Sequence, residues 1–343
     1  MRYGFRGIAM LAAALMLAGC ERQAQTSASA PASDAANTAK SAAADSKEAA
    51  KLDRIVIKPQ FDAGERFAEG MAAVRIGVKF GYIDKDGKVV IMPQFDFAGP
   101  FSEGLAAVGI GNKIGYIDKQ GTFVVVPSFE IANLLPFSDG LAAVRVGEFL
   151  TGKWGYIDKQ GKIVIRAQFD GAGPFSDGLA AVSFDGKWGY IDKQSTMVIK
   201  LRFSSVRSFS EGLAAVRVGD YFSGKDGYID KQGKIVIEPR FDAAFLFSGG
   251  LADVRIGDKY GFIDKAGKLV IEPRFDFADT FGAGLAAIRT GDEKTGKYGY
   301  IDQEGKIVIP PQYDFADLFS ASDGLAAVRV GDDQTGKYGY IGK

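Results

Sequence analysis

Histidine is missing altogether from this 343-residue chain, and cysteine occurs once, at Cys20. Without an imidazole there is no commonest general base, no commonest metal ligand and no histidine-centred triad. A lone thiol excludes intramolecular disulfides and thiolate metal clusters. Net charge is lacking too: 42 basic residues cancel 42 acidic ones, so no global field draws in nucleic acid. The apolar run at residues 8–17 is too short to span a bilayer. These absences leave no catalytic constellation, no metal site and no cofactor to expect. What the chain has in quantity is 45 glycines, 26 phenylalanines and 13 tyrosines, the material of many short strands joined by tight turns.

Arg2 and Arg6 precede the apolar run, which closes on Leu17, Ala18, Gly19 and Cys20, the layout of a secretory signal. Leu-Ala-Gly-Cys resembles the lipobox of bacterial lipoproteins. That resemblance implies a leader over residues 1–19, cut before a lipidated Cys20 that carries two or three acyl chains. One chain binds a membrane only marginally and two or three bind it stably. Residues 20–52 are mostly Ala, Ser, Thr, Gln, Asp and Lys, which cannot bury a core and read as a flexible tether with a reach of roughly 30 Å. Glu21 stands where lipoproteins of the inner membrane carry aspartate, which implies the periplasmic face of the outer membrane in the bacterial cell envelope.

From about residue 53 the chain repeats itself. A Gly-Tyr-Ile-Asp core or a close variant begins at Gly81, Gly115, Gly155, Gly189, Gly227, Gly261, Gly299 and Gly339, giving eight copies at spacings of 34 to 40 residues. Extra residues recur in one turn, at 147–152, 219–224, 291–296 and 331–335, with further pairs near Leu134 and Ala321. Insertions at fixed places mark loops and leave the segments between them as framework.

Those segments are of strand length and largely of strand composition, as in 141–146 (Leu-Ala-Ala-Val-Arg-Val), 153–158 (Lys-Trp-Gly-Tyr-Ile-Asp) and 162–165 (Lys-Ile-Val-Ile). Between the second and third, Asp158-Lys159-Gln160-Gly161 has the Asp and Gly that a type I turn asks for. The recurring aspartate is therefore a turn former; calcium needs several oxygen ligands at close alternating positions. The aromatic before each core glycine, such as Trp154 or Tyr298, is expected to pack at repeat junctions, with the glycine leaving room for a neighbouring ring. After the third strand an aromatic-Asp step, as in Phe169-Asp170, leads either through a fourth short strand or through a tight connector.

The pattern, with Lys-Trp-Gly-Tyr-Ile-Asp at 153–158 and 187–192, resembles the WG-repeat family of bacterial proteins over residues 53–343. It departs from the family name in keeping Trp-Gly only twice, and Asp226 puts a charge where an aromatic is usual. The resemblance implies an all-β repeat module for binding or scaffolding at the cell envelope, without catalytic residues to transfer.

The chain enters the repeat in the back half of a unit, at 54–61, and leaves it in a front half, at 338–343. Complementary ends point to a closed β-propeller-like ring, which would cover its exposed edges, with Leu-Ala-Ala-Val suited to the crowded axis. The alternative is an open β-solenoid of stacked meanders.

For binding, the candidates are the arginines that follow Leu-Ala-Ala-Val or its variants: Arg75, Arg145, Arg217, Arg255, Arg289 and Arg329, a series broken by Gly109 and Ser183. A row of guanidinium groups suits carboxylates or phosphates of an envelope protein or glycan. Six residues upstream stand Glu69, Glu103, Asp139, Asp177, Glu211 and Asp323; the alternative to ligand binding is that each arginine pairs with an acidic group of its own or an adjacent copy in a polar ladder. The expected function is that of a membrane-anchored, non-enzymatic binding module. The alternative is a carboxylate-based enzyme acting on an envelope polysaccharide, which requires no histidine.

Overall fold

The computed structural model describes residues 54–130, 135–148 and 151–343. The expected leader, Cys20, the tether to residue 52, Leu134, and the loop residues Phe149 and Leu150 lie outside them. Arg54–Lys343 forms one unit of 31 strands, with no helix among the described residues, arranged as eight antiparallel sheets. In the fourth blade, Gly171–Ser176, Leu179–Phe184, Lys187–Ile191 and Met197–Phe203 lie side by side in chain order. The last strand of a blade forms the rim. Its alternate valines, such as Val90, Val164, Val198 and Val270, are exposed, and the isoleucines that follow them are buried. The first strand therefore borders the axis.

The eighth blade takes strands from both ends of the repeat region. Phe315–Ala316, Leu325–Val330 and Lys337–Gly342 are completed by Ile55–Phe61 as outer strand, with Ile55 opposite Ile341 and Ile57 opposite Tyr340. The ring is closed, an eight-bladed β-propeller, and the open solenoid is not formed.

Two expectations about individual segments are corrected. Leu-Ala-Ala-Val does not line the axis. It forms the second strand, where Ala72, Ala73 and Val74 and their counterparts are fully buried between neighbouring blades. The aromatic-Asp step is what leads to the innermost strand, which is two residues long at Ala63–Gly64 and six at Phe97–Ser102. Likewise, Gly155 does not make room for a ring. A Cβ there would meet the backbone oxygen of Ile165 at 2.5 Å, because the outer strand bulges over the glycine between the pairs Trp154–Phe169 and Tyr156–Ile165. The same backbone approach, at 2.3 to 2.5 Å, recurs at all eight core glycines, and six of the bulges carry a proline such as Pro93 or Pro273, which has no N–H to leave unpaired.

Each blade meets the next through a buried ring pair. Tyr156 packs on Phe175 of the following blade at 4.8 Å and donates its hydroxyl hydrogen to the Gly173 carbonyl at 2.8 Å. Equivalent ring pairs occur at every junction, including the closing one, where Tyr340 packs on Phe67. Phe262 is the exception in having no hydroxyl to donate.

Candidate functional site

Antiparallel strands send their connections to two opposite faces. One, the loop face, holds the turns between second and third strands, with the four insertions, and the crossings from each outer strand to the next blade. The other, the turn face, holds the turns between first and second strands and between third and fourth. Carboxylates link the blades on both faces.

On the loop face Asp96 accepts from Lys79 of one blade at 2.5 Å and from the Gly111 N–H of the next at 2.8 Å. The same double contact is made by Asp62, Asp170, Asp242, Asp276 and Asp314, Asp62 joining Lys337 of the last blade to Gly77 of the first. The lysine hydrogen bond is the leading reason that Asp62, Asp96, Asp170, Asp242 and Asp276 titrate below the usual carboxylate range.

On the turn face Glu69 accepts from the Gly104 N–H of the next blade at 3.1 Å and pairs with its Lys119 at 3.2 Å. Glu103 with Lys159, Asp177 with Lys231, Glu211 with Lys265 and Asp323 with Lys85 continue the series around the ring. Glu69, Glu103, Asp139, Asp177 and Glu211 hold positive φ of 53° to 56° ahead of a glycine, the geometry of a two-residue hairpin turn. The turn aspartates act as expected: Asp158 accepts from the Gln160 and Lys162 N–H groups at 3.1 and 2.9 Å.

The six candidate arginines sit at the far end of the second strand from these acidic residues and do not pair with that column; Arg217 and Arg329 pair instead with Asp226 and Asp333 of their own copies. Their side chains reach between blades under the loop face. Arg289 is buried, 6% exposed, with its guanidinium 6.0 Å from the Phe277 ring centre and 5.8 Å from that of Tyr298. Arg329 lies over Tyr338 and pairs with Asp333, Arg75 donates to the Asp62 carbonyl at 3.3 Å, and Arg255 to the Gly257 carbonyl at 3.5 Å. Arg145 and Arg255 are half-buried. Arg217 is different: it bonds Asp226 at 2.7 Å and borders a cavity of about 170 Å³ that the other five do not line.

The profile of the WG containing repeat matches residues 51–79, 80–113, 114–148, 154–188, 188–222, 227–260, 260–293 and 298–341. The chain belongs to the WG-repeat family. A search of curated proteins finds no match. Among solved structures, a eukaryotic initiation factor is similar at a TM-score of 0.55 and 11% identity, covering 83% of this chain and 86% of that one. PorZ, a surface component of the type-IX secretion system of Porphyromonas gingivalis, has a TM-score of 0.45 and 12% identity, covering 81% of this chain and 42% of that one. At these identities the likeness to the initiation factor is one of fold alone.

Sequence reasoning passed over one feature of this WG-repeat ring. The position bordering the axis holds Glu65, Gly99, Leu135, Gly173, Arg207, Phe245, Asp279 and Asp317 in the eight blades. In the first, fifth, seventh and eighth blades it is charged. Glu65 is pushed up to about 7, chiefly by burial and then by Asp317, and Asp317 to about 6 by burial, with Asp279 adding to it and Arg66 opposing. All three carboxylates touch some solvent yet are crowded by protein, as residues of a narrow axial channel are. The only signal in the sequence is that this column alternates among unrelated residue types.

Proposed function

We propose that the protein is a non-enzymatic binding and scaffolding module of the bacterial cell envelope, anchored by lipid on Cys20, whose loop face engages an envelope protein or glycan. One observation carries this reading. The two series of carboxylate contacts and the buried ring pairs recur around the ring, and the four insertions all fall on the same face. A rigid scaffold that carries its recurrent four-residue insertions on one face is how repeat proteins present ligand surfaces. The insertions at 147–152 and 219–224 add Phe149, Leu150, Tyr221 and Phe222, whereas those at 291–296 and 331–336 add polar tips.

The test is to cut all four insertions back to the two-residue turn of the fourth blade, Asp185-Gly186. The variant is expected to keep the fold, because the fourth blade closes the same connection with two residues, and to lose capture of envelope partners in cross-linking pull-downs. Undiminished capture would sink the reading. Anchoring is tested separately: Cys20→Ser is expected to shift the protein from the detergent phase to the aqueous phase.

A second reading has one observation in its favour. Glu65, raised to about 7 beside Asp317, has the proton-holding character of a general acid. Hydrolysis of an envelope polysaccharide that disappears in Glu65→Gln would establish it.

A further inference from the structure

The fifth blade breaks the repeat at Asp226, and small first-strand residues flank that break on both sides. In the seventh blade Phe277 on the first strand, Tyr298 on the third and Phe315 of the following blade stack in a row at 5.8 and 5.9 Å. The corresponding residues of the fifth blade are Ser205, Asp226 and Ala243. Small first-strand residues occur in other blades too, at Ala63 and Gly171, but only here do they flank a charged residue in place of the third-strand ring, and the 170 Å³ cavity lies there, lined by these three with Arg207, Arg217 and Tyr221. At roughly 30 Å³ per water the space equals about six waters, smaller than pockets for drug-sized ligands at ~300–1,000 Å³.

The floor is polar and ordered. Arg217 donates to Asp226 at 2.7 Å, to the Tyr221 carbonyl at 2.9 Å and to the Asp242 carbonyl at 2.5 Å, using three of its five donors. Asp226 accepts in addition from the Ala244 N–H at 2.9 Å, which leaves lone pairs on both oxygens. Ser205 contributes a hydroxyl. Tyr221 lines the cavity and packs edge to face with its neighbour Phe222 at 5.3 Å; the two are 62% and 92% exposed. Their loop is tied internally, since Asp220 accepts from the Phe222 and Ser223 N–H groups at 2.9 and 2.7 Å, and Arg217 holds it to the framework through the Tyr221 carbonyl.

We infer that this cavity is a binding site for one sugar unit of a neutral glycan. An anionic ligand approaching Arg217 meets Asp226, which already answers that charge. A cation meets Arg217 and Arg207. A purely apolar group would cover the ion pair without hydrogen-bonding it, which is costly. A sugar ring satisfies all three constraints. Its hydroxyls both donate to Asp226 and accept from Arg217, and its C–H face lies against the Tyr221 and Phe222 rings. The inference rests on the reading of the loop face as the binding face and narrows it to one blade.

The test uses the full-length chain and saturation-transfer NMR with glucose, galactose, N-acetylglucosamine and its disaccharide, alongside galacturonic acid and a tetraglutamate peptide. At least one neutral sugar is expected to receive saturation. Its affinity is expected to fall at least tenfold, about 1.4 kcal/mol, in the double variant Tyr221→Ala, Phe222→Ala. Binding is expected to vanish in Asp226→Tyr, which restores the ring found elsewhere in the repeat and fills the cavity. Should Asp226→Tyr fail to fold, the double variant decides, because its side chains are exposed. Saturation of no neutral sugar overturns the inference. So does saturation undiminished in the double variant, or binding of only the acid or the peptide. Capture of a protein by the loop face in the pull-down above, without sugar binding, rejects this site and leaves the wider reading standing.

Discussion

Glu65 and Asp317 meet where the last blade joins the first, and each carries a raised pKa. An acid whose pKa rises on folding contributes stability that is complete below its unfolded value, near 4, and is lost as pH climbs through the folded one. For these two the loss runs through about 6 and about 7. The loop-face aspartates have the opposite sign. Their lowered pKa values stabilise the ring above about 4, and that contribution disappears as the solution becomes more acidic. The melting temperature is therefore expected to peak between about pH 4 and 6 and to fall by roughly 3 to 6 °C by pH 8. Glu65→Gln combined with Asp317→Asn should flatten the alkaline limb and leave the acid limb unchanged. A wild-type profile level from pH 5 to 8 contradicts the assignment, as does a decline that persists in the double variant. Neither residue stood out in the sequence, because Glu65 and Asp317 are separated by nearly the whole ring and only closure brings them together.

At the scale of the strand, the core glycine answers to the backbone of its neighbour. Gly155→Ala would drive a Cβ to 2.5 Å from the Ile165 oxygen and 2.7 Å from the Ala167 nitrogen, and backbone in a bulge paired on one side has little freedom to retreat. The cost is expected to be roughly 3 kcal/mol or more, measured as a shift in the urea midpoint with unchanged slope. Gly178→Ala is the control, since its Cβ meets nothing within 4 Å although φ is +85°; the strain of positive φ alone costs about 1 kcal/mol. Equal losses at the two positions would dismiss the bulge as the cause. The strands, their turns and the glycine column were legible in the sequence because each depends on residues a few positions apart. The role of the glycine was not, because the bulge above it belongs to another strand. The arginine column misled for a related reason: its regular spacing is plain, but only the pairing of strands within the blade reveals that Arg289 ends beside two rings, and only the three-dimensional packing that Arg217 ends beside a cavity.

For the molecule as a whole, closure decides how a local loss is felt. The outer strand Ile55–Phe61 supplies the partner of Lys337–Gly342, and the same junction adds the Lys337–Asp62 ion pair, the Tyr340 hydroxyl bond to the Glu65 carbonyl at 2.8 Å and the Tyr340–Phe67 ring contact. The ring contact recurs at every internal junction and the other two at most of them, so the seam between the chain ends is no weaker by construction. In an open stack, removing a terminal strand would cost only that strand's own contacts. In a ring it bares the edge of Lys337–Gly342 and invites pairing with another molecule. Deleting residues 54–61 is therefore expected to convert a monodisperse protein into dimers or aggregates and to lower the melting temperature by more than about 10 °C, several kcal/mol for a chain of this size. Light scattering and thermal melts report both effects. A synthetic peptide of residues 53–62, which carries the strand and Asp62, should restore the monomer by filling the vacant edge, whereas a scrambled peptide should not. A deletion variant that stays monomeric and melts within a few degrees of the intact chain would show that the seam does not hold the ring.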